Sequence, residues 1–163
     1  MKYAIIGDLH SAIDETKTVL NEIKQMGLNQ HIIGLGDLYE CKIGKRKLAL
    51  LTEKIPLKEA AIYEKPFEEL LTFPSVIGNQ EERIALVTGE ERFLTYPQSI
   101  ELEHATVMHG HQFDYTDEFE LILPSFQSKI LFFGHSHRSA IYIEDKPMNI
   151  EFDKPYSLIE YEH

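Results

Sequence analysis

Aspartates, histidines and one asparagine recur in this sequence at one kind of place, directly behind a short apolar run. Lys-Tyr-Ala-Ile-Ile-Gly precedes Asp8 and His10, and His-Ile-Ile-Gly-Leu-Gly precedes Asp37. Pro-Ser-Val-Ile-Gly precedes Asn79, Ala-Thr-Val-Met precedes His109 and His111, and Lys-Ile-Leu-Phe-Phe-Gly precedes His135 and His137. Asp8, Asp37 and Asn79 offer oxygen; His10, His109, His135 and His137 offer imidazole nitrogen. Together they exceed what one tetrahedral ion takes. If Asp37 is shared, they divide into four protein contacts for each of two ions and leave positions open for water and substrate. The mixed oxygen and nitrogen set suits manganese, iron, nickel or zinc better than calcium.

Charge decides what such a centre attracts. The chain carries a formal net charge of −11, which argues against non-specific nucleic-acid binding. Two carboxylates against two divalent cations leave about +2 locally, a positive spot suited to phosphate. A hydroxide bridging two ions roughly 3.5–4 Å apart can attack phosphorus in line while the ions polarise the phosphoryl oxygens. The expected substrate is a small phosphorylated molecule, for which a nucleotide qualifies.

Strands must end at each of these positions. Gly7, Gly36, Gly78 and Gly134 stand directly before four of the motifs. Glycine permits a sharp turn and a close approach where a strand stops. In α/β sheets the crevice beyond the carboxyl ends of the strands is where ligands bind. Residues 2–7 and 32–36 read as strands, with a helix between them whose apolar stripe is Ile13, Thr16, Val19, Leu20, Ile23 and Met26 and whose end is Gly27. The charged stretch 45–71 reads as helical in two pieces split at Pro56. Residues 74–78 read as a short strand, and 79–87 and 90–94 as short helices around Gly89. Beyond them 99–103, 105–108, 129–133, 140–144, 148–152 and 156–161 read as strands, interrupted by one helix over 117–126. The pattern is α/β, with a strand-rich second half that suggests two sheets within one domain spanning 1–163.

The remaining composition narrows the class. A lone cysteine, Cys41, excludes an intramolecular disulfide and a cysteine-based zinc site. It reads as a loop thiol with nothing beside it to make it a nucleophile. The apolar run after Met1 is too short for a signal peptide or a membrane span, so a cytoplasmic protein without membrane contact is expected. No feature fixes an oligomeric state.

As a set, Gly7-Asp8-Leu9-His10, Gly36-Asp37, Gly78-Asn79-Gln80-Glu81, His109-Gly110-His111 and Gly134-His135-Ser136-His137 resemble the motifs of the calcineurin-like metallophosphoesterase superfamily, in order and spacing. The small size and the His-Gly-His form look most like its compact bacterial and archaeal phosphodiesterase branch. The resemblance implies a four-layer α/β/β/α sandwich of two mixed β-sheets flanked by helices. It implies one ion on Asp8, His10, Asp37 and His137, and a second on Asp37, Asn79, His109 and His135. It also implies hydrolysis of phosphodiesters or phosphomonoesters.

One departure bears on mechanism. The family pattern usually has a histidine after the asparagine, serving as general acid. Here Gln80 stands there, and an amide donates a hydrogen bond but delivers no proton. His111 is a candidate acid or phosphate contact, and Arg83, one helical turn after Asn79, a candidate phosphate contact near a helix N-terminus. His31, His104 and His163 lack motif context and read as structural or solvent-facing. Two alternative readings fit less well. A non-catalytic scaffold on the same fold has no chemical need for a full ligand set. A phosphoprotein phosphatase or dinucleoside tetraphosphatase would carry Asp-Arg-Gly where this chain has Tyr39-Glu40-Cys41.

Overall fold

The computed structural model describes residues 2–117, 121–122 and 130–137, with the backbone of 142–143 and 146–147. Strand β1 (Ala4–Ile6) leads through helix α1 (Ile13–Gln25) to β2 (Ile32–Gly34). Two short strands, β3 (Glu40–Cys41) and β4 (Ala61–Ile62), enclose helices α2 (Lys45–Leu48) and α3 (Leu57–Ala60). Then come α4 (Lys65–Glu68), α5 (Asn79–Thr88) and a 3-10 turn (Glu91–Leu94). The second half holds β5 (Ser99–Glu101), β6 (Ala105–Met108), β7 (Asp114–Tyr115), β8 (Leu121–Ile122), β9 (Ile130–Phe132), β10 (Tyr142–Ile143) and β11 (Lys146–Pro147). It is a mixed α/β fold with several small sheets.

Two of these sheets position the site. β1 and β2 run parallel, from Ala4 against Ile32 to Ile6 against Gly34, and Gly34 also bridges in parallel to Ser75. In the other, β6 pairs antiparallel with β5 and parallel with β9. Ile33, Val76 and Val107 form one buried cluster that joins the two sheets. Burying each such aliphatic side chain contributes about 1.5–3 kcal/mol. A larger cluster packs Leu38, Tyr39, Phe67, Ile84 and Phe93 between the second strand end and α5. α5 starts behind Gly78 and stops at left-handed Gly89 (φ 78°), a residue that takes this conformation without a Cβ penalty.

Several elements differ from the sequence-based expectation. The stretch 45–71 forms three four-residue helices and a strand, not two helical pieces. Pro56 and Pro66 each start a helix, and β4 is drawn into a ladder with β3, Glu40 against Ile62 and Cys41 against Ala61. Within 117–126, Leu121–Ile122 is a strand, because it pairs antiparallel with β7; residues 118–120 and 123–126 lie outside the described ones. Residues 74–78 reduce to the single bridge at Ser75. β10 falls inside the expected strand 140–144 and hairpins with β11, which was not expected. The strands expected at 148–152 and 156–161, and His163, lie outside the described residues. α1 matches its stripe in register, but it buries only Thr16 and Ile23 and leaves Val19 and Met26 exposed. Among the described residues no helix is long and apolar enough to cross a membrane.

Candidate metal centre

The ladder between β1 and β2 continues past the strands as paired loops. Asp8 N–H donates to Gly36 O at 3.1 Å, His10 N–H to Asp37 O at 3.0 Å and Ser11 N–H to Leu38 O at 2.9 Å. The first two motifs therefore lie side by side. The third is tied to the second by a buried carboxylate: Glu81 accepts from Asp37 N–H and Gly78 N–H, both at 2.9 Å, and from Tyr39 N–H at 3.0 Å. The last two are tied to each other by Gly134 N–H donating to His109 O at 2.9 Å. They join the first through His135 N–H, which reaches the Asp8 carboxylate at 3.2 Å. All five strand ends meet in one place.

The backbone turns there are unusual for the residues that make them. Positive φ angles occur at Asp8 (53°), His10 (47°), Ser11 (60°), Asp37 (48°), His135 (68°) and His137 (52°). Non-glycine residues rarely enter this left-handed region, and residues held in it cluster at functional sites. The neighbouring glycines are needed for closeness. A Cβ on Gly78 would sit 2.2 Å from Asp37 N, and one on Gly134 2.5 Å from Asp8 Oδ2.

Two groups of side chains converge. In each of Asp8–His10–His137 and Asp37–His109–His135 the donor atoms lie within 4.8 Å of one another. His10 Nε2 faces His137 Nε2 at 3.3 Å, and His137 Nε2 stands 3.3 Å from Asp8 Oδ1. His109 Nε2 stands 3.4 Å from Asp37 Oδ2 and 3.2 Å from Asn79 Oδ1. Two histidines are fixed in tautomer by what the other ring nitrogen does. His109 Nδ1 donates to Leu35 O at 2.7 Å and His10 Nδ1 to Glu40 Oε2 at 2.7 Å. With Nδ1 so engaged, each ring has Nε2 left for an ion, which would displace any proton there. Each of the two groups could thus hold a metal ion, in donor type and in convergence.

Electrostatics agree with a site awaiting positive charge. Burial pushes the Asp37 carboxyl up, but the His109 hydrogen bond and charge outweigh it and bring it below the usual carboxylate range. For His109 burial works against the charged ring, and the Asp37 carboxylate more than reverses this, so the ring sits above its ordinary value. Burial, helped by the charge on His109, lowers His135. Asp37 is 2% exposed and His109 fully buried, whereas His137 is open to solvent.

The other sequence candidates fall as follows. His111 packs against the His109 and His135 rings and bonds through Nε2 to Glu82 at 3.2 Å. Its Nδ1 is buried and has no hydrogen-bond partner among the described residues. Burial holds the ring below the ordinary imidazole range. Gln80 N–H donates to Asp37 Oδ1 at 2.8 Å, and its side-chain oxygen accepts from Cys41 N–H at 3.1 Å. A backbone N–H can meet only the oxygen end of the amide, so the Gln80 NH₂ is the other end. Arg83 is half-buried, and its charge acts on the Cys41 thiol. Cys41 itself is 5% exposed and in the large core cluster, and burial pushes its thiol up. It is a core residue, not a loop thiol. His31 stacks edge-on against Tyr3, and His104 pairs with Glu103 at the surface, both apart from the centre.

Two contributors were missed in the sequence, and a third, Glu81, stood in the motif Gly78-Asn79-Gln80-Glu81 without a role. Glu40 and the Leu35 carbonyl orient histidines, and nothing local marks either. Glu81 had a signal: it stands three residues after Gly78, the spacing of an acid that bonds back to a helix N-cap.

The sequence model for a calcineurin-like phosphoesterase superfamily domain matches residues 1–150. No curated protein and no solved structure matches the chain.

Proposed function

The chain belongs to the calcineurin-like phosphoesterase superfamily, and from that premise we propose that it hydrolyses phosphodiesters, and secondarily phosphomonoesters, at a centre of two divalent ions. The observation that carries this reading is the pair of converging donor groups, Asp8–His10–His137 and Asp37–His109–His135. Asn79 adds its amide oxygen to the second group, and Asp37 is shared between the two. Bound there, the ions would supply a nucleophile from water at neutral pH and withdraw charge from the phosphoryl oxygens.

The chain's own residues do the rest. Asp37 is held by Gln80 N–H at one oxygen, leaving the other turned to His109. Gln80 presents its NH₂ as a donor to a phosphoryl or leaving-group oxygen, and offers no proton. His111 contacts the phosphate or the leaving group from its place beside His109 and His135. Arg83, beside Cys41, adds a cationic contact for a phosphate. The substrate is a small phosphorylated molecule such as a nucleotide ester, and esters with good leaving groups turn over faster. A four-layer sandwich, one domain over 1–163 and a cytoplasmic location belong to the same reading. The mixed β5–β6–β9 sheet, beside the parallel β1–β2 pair, supports the first of these.

The test is a screen of generic diesters and monoesters with protein stripped of metal and reloaded with manganese, iron, nickel or zinc in turn. Metal-dependent turnover is expected. A folded, metal-loaded sample that cleaves none of them would leave the scaffold reading in its place.

A further inference from the structure

Glu40 has no place in the ligand set, yet its carboxylate sits 2.7 Å from His10 Nδ1. The two half-sites are therefore supported differently. His109 is oriented by a neutral carbonyl, Leu35 O, and is fully buried. His10 is oriented by a carboxylate, with side-chain exposures of 23% for His10 and 37% for Glu40. The half-site that faces water has the charged support.

Glu40 does not reach His10 by chance of rotamer. It is the first residue of β3, paired with Ile62 of β4. Its backbone N–H donates to Ser11 Oγ at 3.1 Å, and the same hydroxyl donates to Ile62 O at 2.7 Å. Ser11 follows His10 in the chain. One hydroxyl thus locks the end of the β3–β4 hairpin to the loop that carries His10. A hydrogen bond to a carboxylate is roughly twice as strong as one to a neutral acceptor, and it fixes the orientation of the imidazole that would bind the ion.

We infer that Glu40 is a positioning residue for His10, and that the Asp8–His10–His137 half-site depends on it for metal affinity while the Asp37–His109–His135 half-site does not. The inference rests on the two-ion reading above. It adds that the two ions are held through separate supports, one of them delivered by the β3–β4 hairpin.

The experiment is calorimetric titration of manganese or cobalt into stripped full-length protein, with no substrate present. Glu40→Ala should weaken one binding step by about 10–100-fold and leave the other unchanged. Glu40→Gln keeps an acceptor without the charge and should recover part of the loss. In a His10→Ala background, Glu40→Ala should cost nothing further, because it acts through that ring. A further loss in that background would show direct contact with the ion and overturn the positioning role. So would equal weakening of both steps, or no weakening in a variant with wild-type circular dichroism and melting temperature. Wild-type protein that takes up no ion would sink the two-ion reading and this inference together. Two intact binding steps without esterase turnover would sink the catalytic reading alone.

Discussion

Glu81 Oε2 lies 2.9 Å from the backbone nitrogens of both Asp37 and Gly78. One carboxylate oxygen thereby fastens the second motif to the third, and the other oxygen holds Tyr39 N–H. The group is completely buried, and burial pushes its pKa up, with three backbone N–H bonds opposing. Its work is to hold Asp37 and Asn79 at a fixed separation.

Glu81→Gln should therefore be costly despite its near-identical shape. The amide has one acceptor oxygen, so its NH₂ must face a backbone N–H on one side or the other. Leaving that donor buried and unpaired costs about 1–3 kcal/mol. Urea denaturation should show a lower midpoint, with metal uptake impaired as well. A variant as stable as wild type would mean that the clamp is dispensable.

Asp37→Asn should abolish turnover and reduce the number of ions retained. The oxygen held by Gln80 N–H can remain in place, so the NH₂ falls opposite His109 Nε2 and removes a ligand from the buried group. Elemental analysis after dialysis reads the stoichiometry. Two retained ions with full activity would remove the shared role given to Asp37.

Metal uptake should depend on pH in a definite direction. The Asp37 carboxylate keeps the proton on His109 to a pH above the ordinary imidazole range, against the effect of burial. An incoming ion must displace that proton. Affinity should rise with pH, be poor at about pH 6 and still be increasing above the ordinary imidazole value of about 6.5. Titrations in two buffers of different ionisation enthalpy would count the proton released. An affinity that is flat across that window contradicts the assignment of His109 as a ligand.

Gln80→His should increase turnover of esters with poor leaving groups, by up to about 10²–10⁴-fold if proton delivery limits the rate. The same change removes the acceptor that Cys41 N–H now uses, which costs about 1 kcal/mol. Comparing an alkyl ester with a nitrophenyl ester separates the two effects. A parallel change in both rates would show that the proton is not limiting.

The sequence and the structure agree best where a signal is local. Asp8, Asp37, Asn79, His109 and His135 each follow an apolar run, so type and position could be read together; the structure groups Asp8 with His10 and His137, and Asp37 with His109 and His135, with Asn79 beside His109. Glu40 was invisible because its partner lies 30 residues away, and the Leu35 carbonyl because its partner lies 74 away. The same physics explains the stretch 45–71. Its charge and helical propensity suggested longer helices, but pairing of Ala61–Ile62 with Glu40–Cys41 decided the matter. Tertiary contacts override a weak local preference. Leu121 and Ile122 gave no sign that Asp114 and Tyr115 would pair with them.

Among the described residues, five of the six non-glycine residues with left-handed backbone belong to the two converging groups. Each such conformation costs about 1–3 kcal/mol and persists only where the surroundings over-determine it. Here the surroundings are hydrogen bonds between loops. The protein accordingly resembles a macrocyclic chelator more than an open-chain one: its donors are already arrayed around the seat. A cation that arrives cannot reshape the seat to its own taste. Manganese, iron, nickel and zinc would all meet the same rigid frame, and which of them sits in it becomes a question of what the cell has to offer.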